Sequence, residues 1–298
     1  SKKSEKAPEP SAEAALPKNA KASPAPASLA LQDVGFATPE SVLYDAEADV
    51  YLVSNINGSP FEADGNGFIS RVSAEGKVEA LKWIDGANEK VTLNAPKGMA
   101  FFAGKLYVAD LTSVRMFDRK TGASLGEVAI EGTDFLNDMA TGDGFVYVSN
   151  SGVRGEDELS GLDAIYKIDN DNKVTTLIKD KTLGVPNGLL IHEGTTWVVT
   201  FGSGELYPVD AEGNKGEVVK LPKAGLDGIE MLKDGRILIS SWDAAGLYAG
   251  TLGGKEFTLM PEEIESPADI GYDPKRDLVL IPLFKKDRVQ SIPGALVP

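Results

Sequence analysis

Four oxygen-bearing side chains stand at similar places in the 298-residue chain, each shortly before an apolar run: Glu40, Asn137, Asn187 and Asp227. Together they offer carboxylate and amide oxygens without any imidazole or thiolate. Hard divalent cations such as Ca²⁺ take oxygen ligands of these kinds, whereas zinc and copper sites favour nitrogen and sulfur. An isolated Asn or Asp before a strand indicates no more than a turn. If the fold brings the four together, they predict a site for Ca²⁺ or another divalent cation.

Six similar units hold these residues in a common register. Each unit has a head residue, an apolar strand, a turn, a second apolar strand and then a third strand, as in VPNGLLIHEGTTWVVTF from Val185. The two remaining head positions are Lys97 and Ala268, and successive heads lie 40 to 57 residues apart. A repeat of roughly 40 to 50 residues with three or four strands is typical of a β-propeller. The sequence therefore predicts an all-β fold, a six-bladed β-propeller.

The propeller architecture predicts where the head residues meet. The first strand of each blade lines the central channel, and the loop before that strand lies at one mouth. Asp138 and Asp269 follow one position after the heads of their own blades, so we expect their carboxylates near the same axis. Gly188 and Gly228 follow two other heads and allow a close approach of the backbone. Carboxylates crowded in this way without a cation would have raised pKa values.

The two ends of the chain are predicted to meet in the sixth blade. Few residues remain after its third strand at 288–292, and the unpaired run at 28–36 would add an outer strand that removes two free edges. We assign residues 28–298 to the propeller, with a β-sandwich or two small barrels as the alternative. Residues 1–27 are rich in Ala, Pro, Ser and Lys and lack aromatic residues, which predicts a disordered tether.

Composition also bears on location and partners. A leader of this kind is typical of the mature start of an exported protein, so we expect a secreted, periplasmic or cell-surface location, with a lipid anchor upstream of residue 1 if it is a lipoprotein. A cytoplasmic tail is the alternative.

The net charge of −15 disfavours a nucleic-acid partner. No apolar run approaches the roughly 20 residues of a membrane-spanning helix, and cysteine is absent. We expect a monomer that acts on a small-molecule substrate.

Four short motifs in order carry a family resemblance: ESVLYD at Glu40, LNDM at Asn137, PNGL at Asn187 and LDGI at Asp227. Over residues 30–293 the chain resembles the senescence marker protein/gluconolactonase family and its wider relatives, the paraoxonases. The resemblance implies a six-bladed propeller with a divalent metal, commonly Ca²⁺, in the channel mouth. Many members hydrolyse lactones or esters. It further implies that the four motif residues are metal ligands.

Blade two departs from the paraoxonase pattern at Lys97. Residues 96–98 of the chain are Pro-Lys-Gly, whereas the corresponding motif of paraoxonases resembles Pro-His-Gly. A lysine cannot act as a histidine base at neutral pH unless burial lowers its pKa strongly. Lys97 could instead bind an anionic substrate. Alternatively, it could form a salt bridge with Asp269 or Asp138 and take no part in catalysis. These alternatives stay open at the level of sequence.

A hydrolase mechanism follows if the metal is present. The cation would polarise a lactone or ester carbonyl and stabilise the developing oxyanion, and Asp227 or Asp138 would accept a proton from the attacking water. Lys97 would assist the oxyanion or orient the substrate. Trp242, in SSWDAAGLY, is expected to reach the same mouth, so Lys97, Trp242 and Asp269 are the predicted substrate-binding residues. Two insertions, NGSPFEADGNG and GVRGEDELSGLD, are expected to lengthen the mouth.

The leading alternative is a non-catalytic propeller that binds a ligand or a protein and uses the metal only to hold the mouth. One fold of this type hosts many unrelated functions, so the architecture does not decide between the two. A weaker alternative is a strictosidine-synthase-like lyase. A Ser-His-Asp hydrolase is disfavoured, because His192 is the only histidine and lies in a predicted strand.

Overall fold

The computed structural model describes residues 28–298, which form six four-stranded antiparallel sheets. The innermost strands of neighbouring sheets contact each other all the way around, from the first sheet to the sixth and back to the first. This confirms the all-β, six-bladed propeller. The predicted tether at 1–27 lies outside the described residues. Among the helices of the described chain, none has the length and apolar character that crossing a bilayer requires.

The strands are numbered in chain order, beginning with β1 (Ala30–Leu31), which belongs to the last blade. Within blades 1 to 3 the chain runs outwards from the channel, and blade 3 carries an extra hairpin. Blade 1 contains β2 (Pro39–Asp45), β3 (Val50–Asn55), β4 (Phe68–Ser73) and β5 (Val78–Asp85). Blade 2 contains β6 (Pro96–Phe102), β7 (Lys105–Asp110), β8 (Ser113–Asp118) and β9 (Ser124–Ala129). Blade 3 contains β10 (Leu136–Gly142), β11 (Phe145–Asn150), the hairpin strands β12 (Val153–Gly155) and β13 (Glu158–Leu159), β14 (Ala164–Ile168) and β15 (Val174–Lys179).

The second half of the ring repeats this plan with shorter outer strands. Blade 4 contains β16 (Pro186–His192), β17 (Thr195–Thr200), β18 (Glu205–Val209) and β19 (Val219–Lys220). Blade 5 contains β20 (Leu226–Met231), β21 (Arg236–Ser241), β22 (Gly246–Thr251) and β23 (Thr258–Leu259). Blade 6 contains β24 (Gly271–Asp273), β25 (Leu278–Leu283) and β26 (Arg288–Pro293), with 3₁₀ helices at Phe284–Lys286 and Gly294–Leu296.

The ends of the described chain meet in blade 6, as predicted. Strand β1 pairs antiparallel with β26, and Ala30 lies opposite Gln290. Leu29 and Leu31 are buried in an apolar cluster that also contains Val53 of blade 1. The N-terminal segment therefore closes the ring through both backbone hydrogen bonds and apolar burial, the latter being the dominant favourable term in folding.

Five of the six innermost strands carry an extra residue near their start, and β24 of blade 6 is the exception. In blade 3, Leu136 lies opposite Asn150 and Met139 lies opposite Val148, so two residues, 137 and 138, face a single partner position. The same irregularity occurs at the start of β2, β6, β16 and β20. Such bulges re-aim the side chains around them. In blade 3 this local geometry places both the head residue Asn137 and its successor Asp138 against channel cavities.

The glycines after two heads let the bulged strands pack tightly. A Cβ at Gly188 would overlap the backbone oxygen of Asp227, and a Cβ at Gly228 would overlap the backbone of Ile270. The absence of a side chain at these two positions therefore permits the close approach of blade 4 to blade 5, and of blade 5 to blade 6. This explains the Asn-Gly and Asp-Gly pairs.

Candidate active site at the channel mouth

A cavity of 380 Å³ at one end of the channel collects the predicted metal ligands. Glu40, Asn137, Asn187 and Asp227 all line it, although they come from four different blades. Each of the four residues is at most 6% exposed. Lys97 from blade 2 lines the same cavity, whereas the sixth head, Ala268, is buried elsewhere. Five of the six head residues are thus brought together.

The four oxygen-bearing side chains share an unusual property. Each leaves one buried oxygen without any hydrogen-bond partner: Glu40 Oε2, Asn137 Oδ1, Asn187 Oδ1 and Asp227 Oδ1. Buried polar atoms in folded proteins are nearly always partnered, and an orphaned acceptor costs roughly 1–3 kcal/mol. Four such atoms in one cavity form a set of acceptors that a cation would satisfy.

Neighbouring groups fix the orientation of these donors. The Ser151 hydroxyl donates to the Pro186 carbonyl oxygen at 2.7 Å, so it accepts a hydrogen bond from Asn137 Nδ2 at 3.1 Å. The amide nitrogen of Asn137 is therefore engaged, which turns its Oδ1 towards the cavity. Outer groups that orient metal ligands in this way contribute to affinity. The sequence analysis did not single out Ser151.

Trp242 lines the mouth, as its place in blade 5 suggested, and it contacts Asp227 directly. Its indole Nε1 donates to Asp227 Oδ2 at 2.7 Å, which leaves Oδ1 as the free oxygen. The indole ring packs between Phe201 and Phe284, with ring centroids 5.7 and 5.0 Å away. Trp242 was predicted only as a substrate-binding residue. The structure adds a positioning contact with a candidate metal ligand.

Electrostatics at the mouth are unfavourable for the ionised carboxylates. Burial, followed by the negative charges of Asp227 and Asp269, raises the pKa of Glu40 well above its usual value. Burial and the charge of Asp269 likewise raise the pKa of Asp227, while hydrogen bonds from Trp242 and Asn187 oppose that rise. A cation bound in the cavity would lower the pKa values of both carboxyls and so favour their ionised forms.

Lys97 is fully buried and makes few polar contacts. Its Nζ donates to the Ala95 carbonyl oxygen at 3.0 Å and lies 4.3 Å from the ring centroid of Phe135. Burial lowers the pKa of Lys97 to about 8, although the negative charge of Glu40 works in the opposite direction. Within residues 28–298, Lys97 forms no salt bridge with Asp138 or Asp269, although the sequence analysis considered such a bridge.

Asp138 and Asp269 line a different cavity, of 280 Å³, further along the innermost strands. The carboxylate of Asp138 accepts hydrogen bonds from the backbone amides of Met139 at 2.6 Å and Leu189 at 2.7 Å. Asp269 accepts a hydrogen bond from the Ser41 hydroxyl at 2.5 Å. Neither residue lines the mouth cavity.

The donor set at the mouth is a mixture of carboxylates and amides. Among residues 28–298, no group of three or more His, Cys, Asp or Glu side chains is placed to hold a metal ion. The candidate centre combines two carboxylates with two amide oxygens, which matches a hard cation such as Ca²⁺ better than a transition metal. The single histidine of the sequence, His192, does not line this cavity. It lies on β16, and its side chain is 42% exposed.

Both predicted insertions reach the mouth. Pro60 and Phe61 from the blade 1 insertion line the cavity, as do Val153 and Glu156 from the blade 3 insertion. The sequence analysis missed four phenylalanines of the lining. They are Phe61, Phe135, Phe201 and Phe284. Phe201 and Phe284 each come directly after the second strand of their blade, as Trp242 does, so the repeat register carried a signal for them that the sequence analysis did not use. Phe61 and Phe135 lie in loops whose lengths differ between blades, and the register carried no signal for them.

Comparison with known proteins places the fold. No protein-family profile and no curated protein sequence matches the chain. Among solved structures, a gluconolactonase from Xanthomonas campestris is 16% identical with a TM-score of 0.66, covering 91% of this chain and 90% of that one. The luciferin-regenerating enzyme is 12% identical with a TM-score of 0.63, covering 91% and 97%. A chain of a nidogen/laminin complex is 14% identical with a TM-score of 0.59, covering 76% and 80%.

These similarities match the gluconolactonase resemblance drawn from the sequence at the level of the fold. The similar structures include enzymes and a component of a protein complex. Propellers host unrelated functions, so the fold alone does not assign an activity. The chemistry of the mouth must do so.

Proposed function

We propose that this protein is a calcium-dependent hydrolase of lactones or similar small esters. One observation carries the proposal: four buried oxygens, one from each predicted ligand, face a single cavity without partners. The Xanthomonas campestris gluconolactonase among the similar structures supports the reaction class.

The donor set fits Ca²⁺. Glu40 and Asp227 would supply charge, and Asn137 and Asn187 would supply neutral amide oxygens, a combination that hard cations accept readily. Such an ion would polarise the substrate carbonyl and stabilise negative charge on its oxygen. The hydrogen bonds from Ser151 and Trp242 hold two of the ligand side chains in place.

The chain's own residues divide the remaining work. We assign the general base to Asp227, whose carboxylate would accept a proton from a water that attacks the carbonyl carbon. Lys97, charged below its pKa of about 8, would donate a hydrogen bond to the developing oxyanion. The bond from the carbonyl carbon to the ring or ester oxygen then breaks, and the proton passes to the leaving alkoxide. We prefer Asp227 to Asp138 as the base, because Asp138 lines the inner cavity and its carboxylate accepts hydrogen bonds from the amides of Leu189 and Met139.

Calcium-dependent stability and turnover of the full chain test the proposal together. The melting temperature is measured in chelator and at increasing calcium, because a ligand that binds the folded state raises stability with its concentration. A panel of γ- and δ-lactones and p-nitrophenyl esters is then assayed under both conditions. We expect calcium to raise the melting temperature and to be required for hydrolysis.

Two results would count against the proposal in different ways. Calcium stabilisation without turnover of any panel member would favour the non-catalytic binding module, in which the metal only holds the mouth. Turnover that persists in chelator would remove the metal from the reaction. Magnesium at the same concentration is the matched control, since it prefers a smaller, octahedral site.

A further inference from the structure

Two aromatic walls flank the ring of free oxygens from opposite halves of the propeller. The first wall pairs Phe61, from the blade 1 insertion, with Phe135, just before blade 3, at a centroid distance of 5.0 Å. The second wall is the stack of Phe201, Trp242 and Phe284 from blades 4, 5 and 6. All five rings line the same cavity.

Polar groups that could hold substrate hydroxyls are scarce between these walls. Apart from the four candidate ligands and Lys97, the polar side chains lining the cavity in the described chain are Ser151, Glu156 and Lys285. Ser151 is committed to Asn137 and Pro186. Each hydroxyl buried without a partner costs free energy, so this mouth disfavours a polyhydroxylated ligand.

We infer that the substrate is apolar on both sides of the reacting carbonyl: an alkyl- or aryl-substituted lactone or ester rather than a sugar lactone. The inference rests on the proposed function. With the carbonyl at the oxygen ring, one substituent contacts Phe61 and Phe135 and the other contacts Phe201 and Trp242. Aromatic side chains provide a large apolar area for contact with a ligand. Binding pockets for small molecules commonly combine such walls with a few polar groups.

Matched pairs of ligands test the inference. Hydrolysis of a phenyl-substituted γ-lactone is compared with that of a ring-hydroxylated γ-lactone of similar size, in calcium, with the full chain. Binding of the two corresponding lactams, which resist hydrolysis, is measured by titration calorimetry. We expect kcat/KM and lactam affinity to be at least about tenfold higher for the phenyl compounds.

One substitution in each wall localises the effect. Phe61→Ser and Phe201→Ser should each lower affinity for the phenyl lactam about tenfold, because each removes a large apolar contact, and should leave the hydroxylated lactam unchanged. Leu125→Ser, on the exposed strand β9 away from the mouth, is the matched control for losing an exposed apolar side chain. Melting temperatures of all three variants verify that they fold.

The outcomes separate the two proposals. If the phenyl lactam binds selectively but no lactone is hydrolysed, the aromatic walls stand as an apolar binding site and the hydrolase proposal fails. Equal or stronger binding of the hydroxylated lactam overturns the inference whether or not hydrolysis occurs. Failure of both lactams to bind also overturns it.

Discussion

Two groups of buried carboxylates occupy the channel of this propeller, and their surroundings differ sharply. At the mouth, Glu40 and Asp227 each keep an oxygen without a partner. In the inner cavity, Asp138 is held by two backbone amides, and Asp269 by the Ser41 hydroxyl. Both groups consist of carboxylic side chains, and all four carboxyls have raised pKa values, chiefly because they are buried.

Hydrogen-bond satisfaction therefore distinguishes the groups better than charge or burial does. A carboxylate whose oxygens both accept hydrogen bonds stabilises the contact between blades. Removing it leaves the donor groups without a hydrogen-bond partner. A carboxylate with a free acceptor lowers apo-protein stability and gains from a cation. The inner group is expected to serve structure and the mouth group function, and four experiments test this division.

The largest effect is expected for Glu40→Gln at the mouth. Because the amide removes a charged ligand while preserving shape, calcium affinity should fall more than about a hundredfold. Unfolding free energy in chelator should stay the same or rise, since a buried charge is lost. Calcium titration calorimetry and urea unfolding check the two halves. Unchanged calcium affinity would contradict the assignment of the mouth.

The opposite pattern is expected for Asp138→Ala in the inner group. The substitution leaves the amides of Leu189 and Met139 without acceptors, so unfolding free energy in chelator should fall by about 2 kcal/mol. The increment of stability that calcium adds should persist. Urea unfolding with and without calcium measures both, and Asp138→Asn, which keeps one acceptor, should lose less. A loss confined to the calcium-bound state would instead place Asp138 among the metal ligands.

A smaller effect is expected for Trp242→Phe, which removes the hydrogen bond to Asp227 Oδ2 but keeps an aromatic ring. Outer-sphere contacts of this kind contribute about tenfold or more to metal affinity. Calcium affinity should therefore fall about tenfold without loss of the fold, and the change of indole fluorescence on calcium addition should disappear. Trp197→Phe on β17 is the matched control. If both variants bind calcium equally well, the positioning role is wrong.

The smallest effect concerns Glu230, which lines the inner cavity beside Asp269. Burial, and then the charge of Asp269, raises the pKa of Glu230 to about 8 from the usual 4.5. The folded state binds more protons than the unfolded state between these values, so unfolding free energy falls as pH rises through this window. Glu230→Gln should remove most of that loss, so the unfolding free energy of the variant in chelator should change less between pH 5 and pH 8 than that of the unchanged protein. A stability difference between the two proteins that is equal at pH 5 and pH 8 would contradict this origin.

Much of the fold and part of the site could be predicted from the sequence. The repeated unit located all six innermost strands and the closure at β1, because alternating apolar runs and turn residues are local signals. The same register identified Glu40, Asn137, Asn187 and Asp227 as side chains that meet in one cavity. Repetition turned four individually weak positions into one pattern.

The remaining features depend on residues that are distant in the sequence. The register placed Asn137 and Asp138 near the same axis, but it could not show that they line different cavities and have different hydrogen-bond partners. The amide that engages Asp138 belongs to Leu189, 51 positions away. The aromatic walls bring together residues from five blades. Phe201, Trp242 and Phe284 follow the second strand of their blades, whereas Phe61 and Phe135 lie in loops whose lengths do not follow the repeat.

Sequence alone thus determined the number of blades and the residues at their heads, since both follow from short patterns repeated along the chain. Tertiary structure alone decided which buried oxygens stay free. That outcome depends on whether an amide, a hydroxyl or an indole from another blade lies within hydrogen-bonding distance.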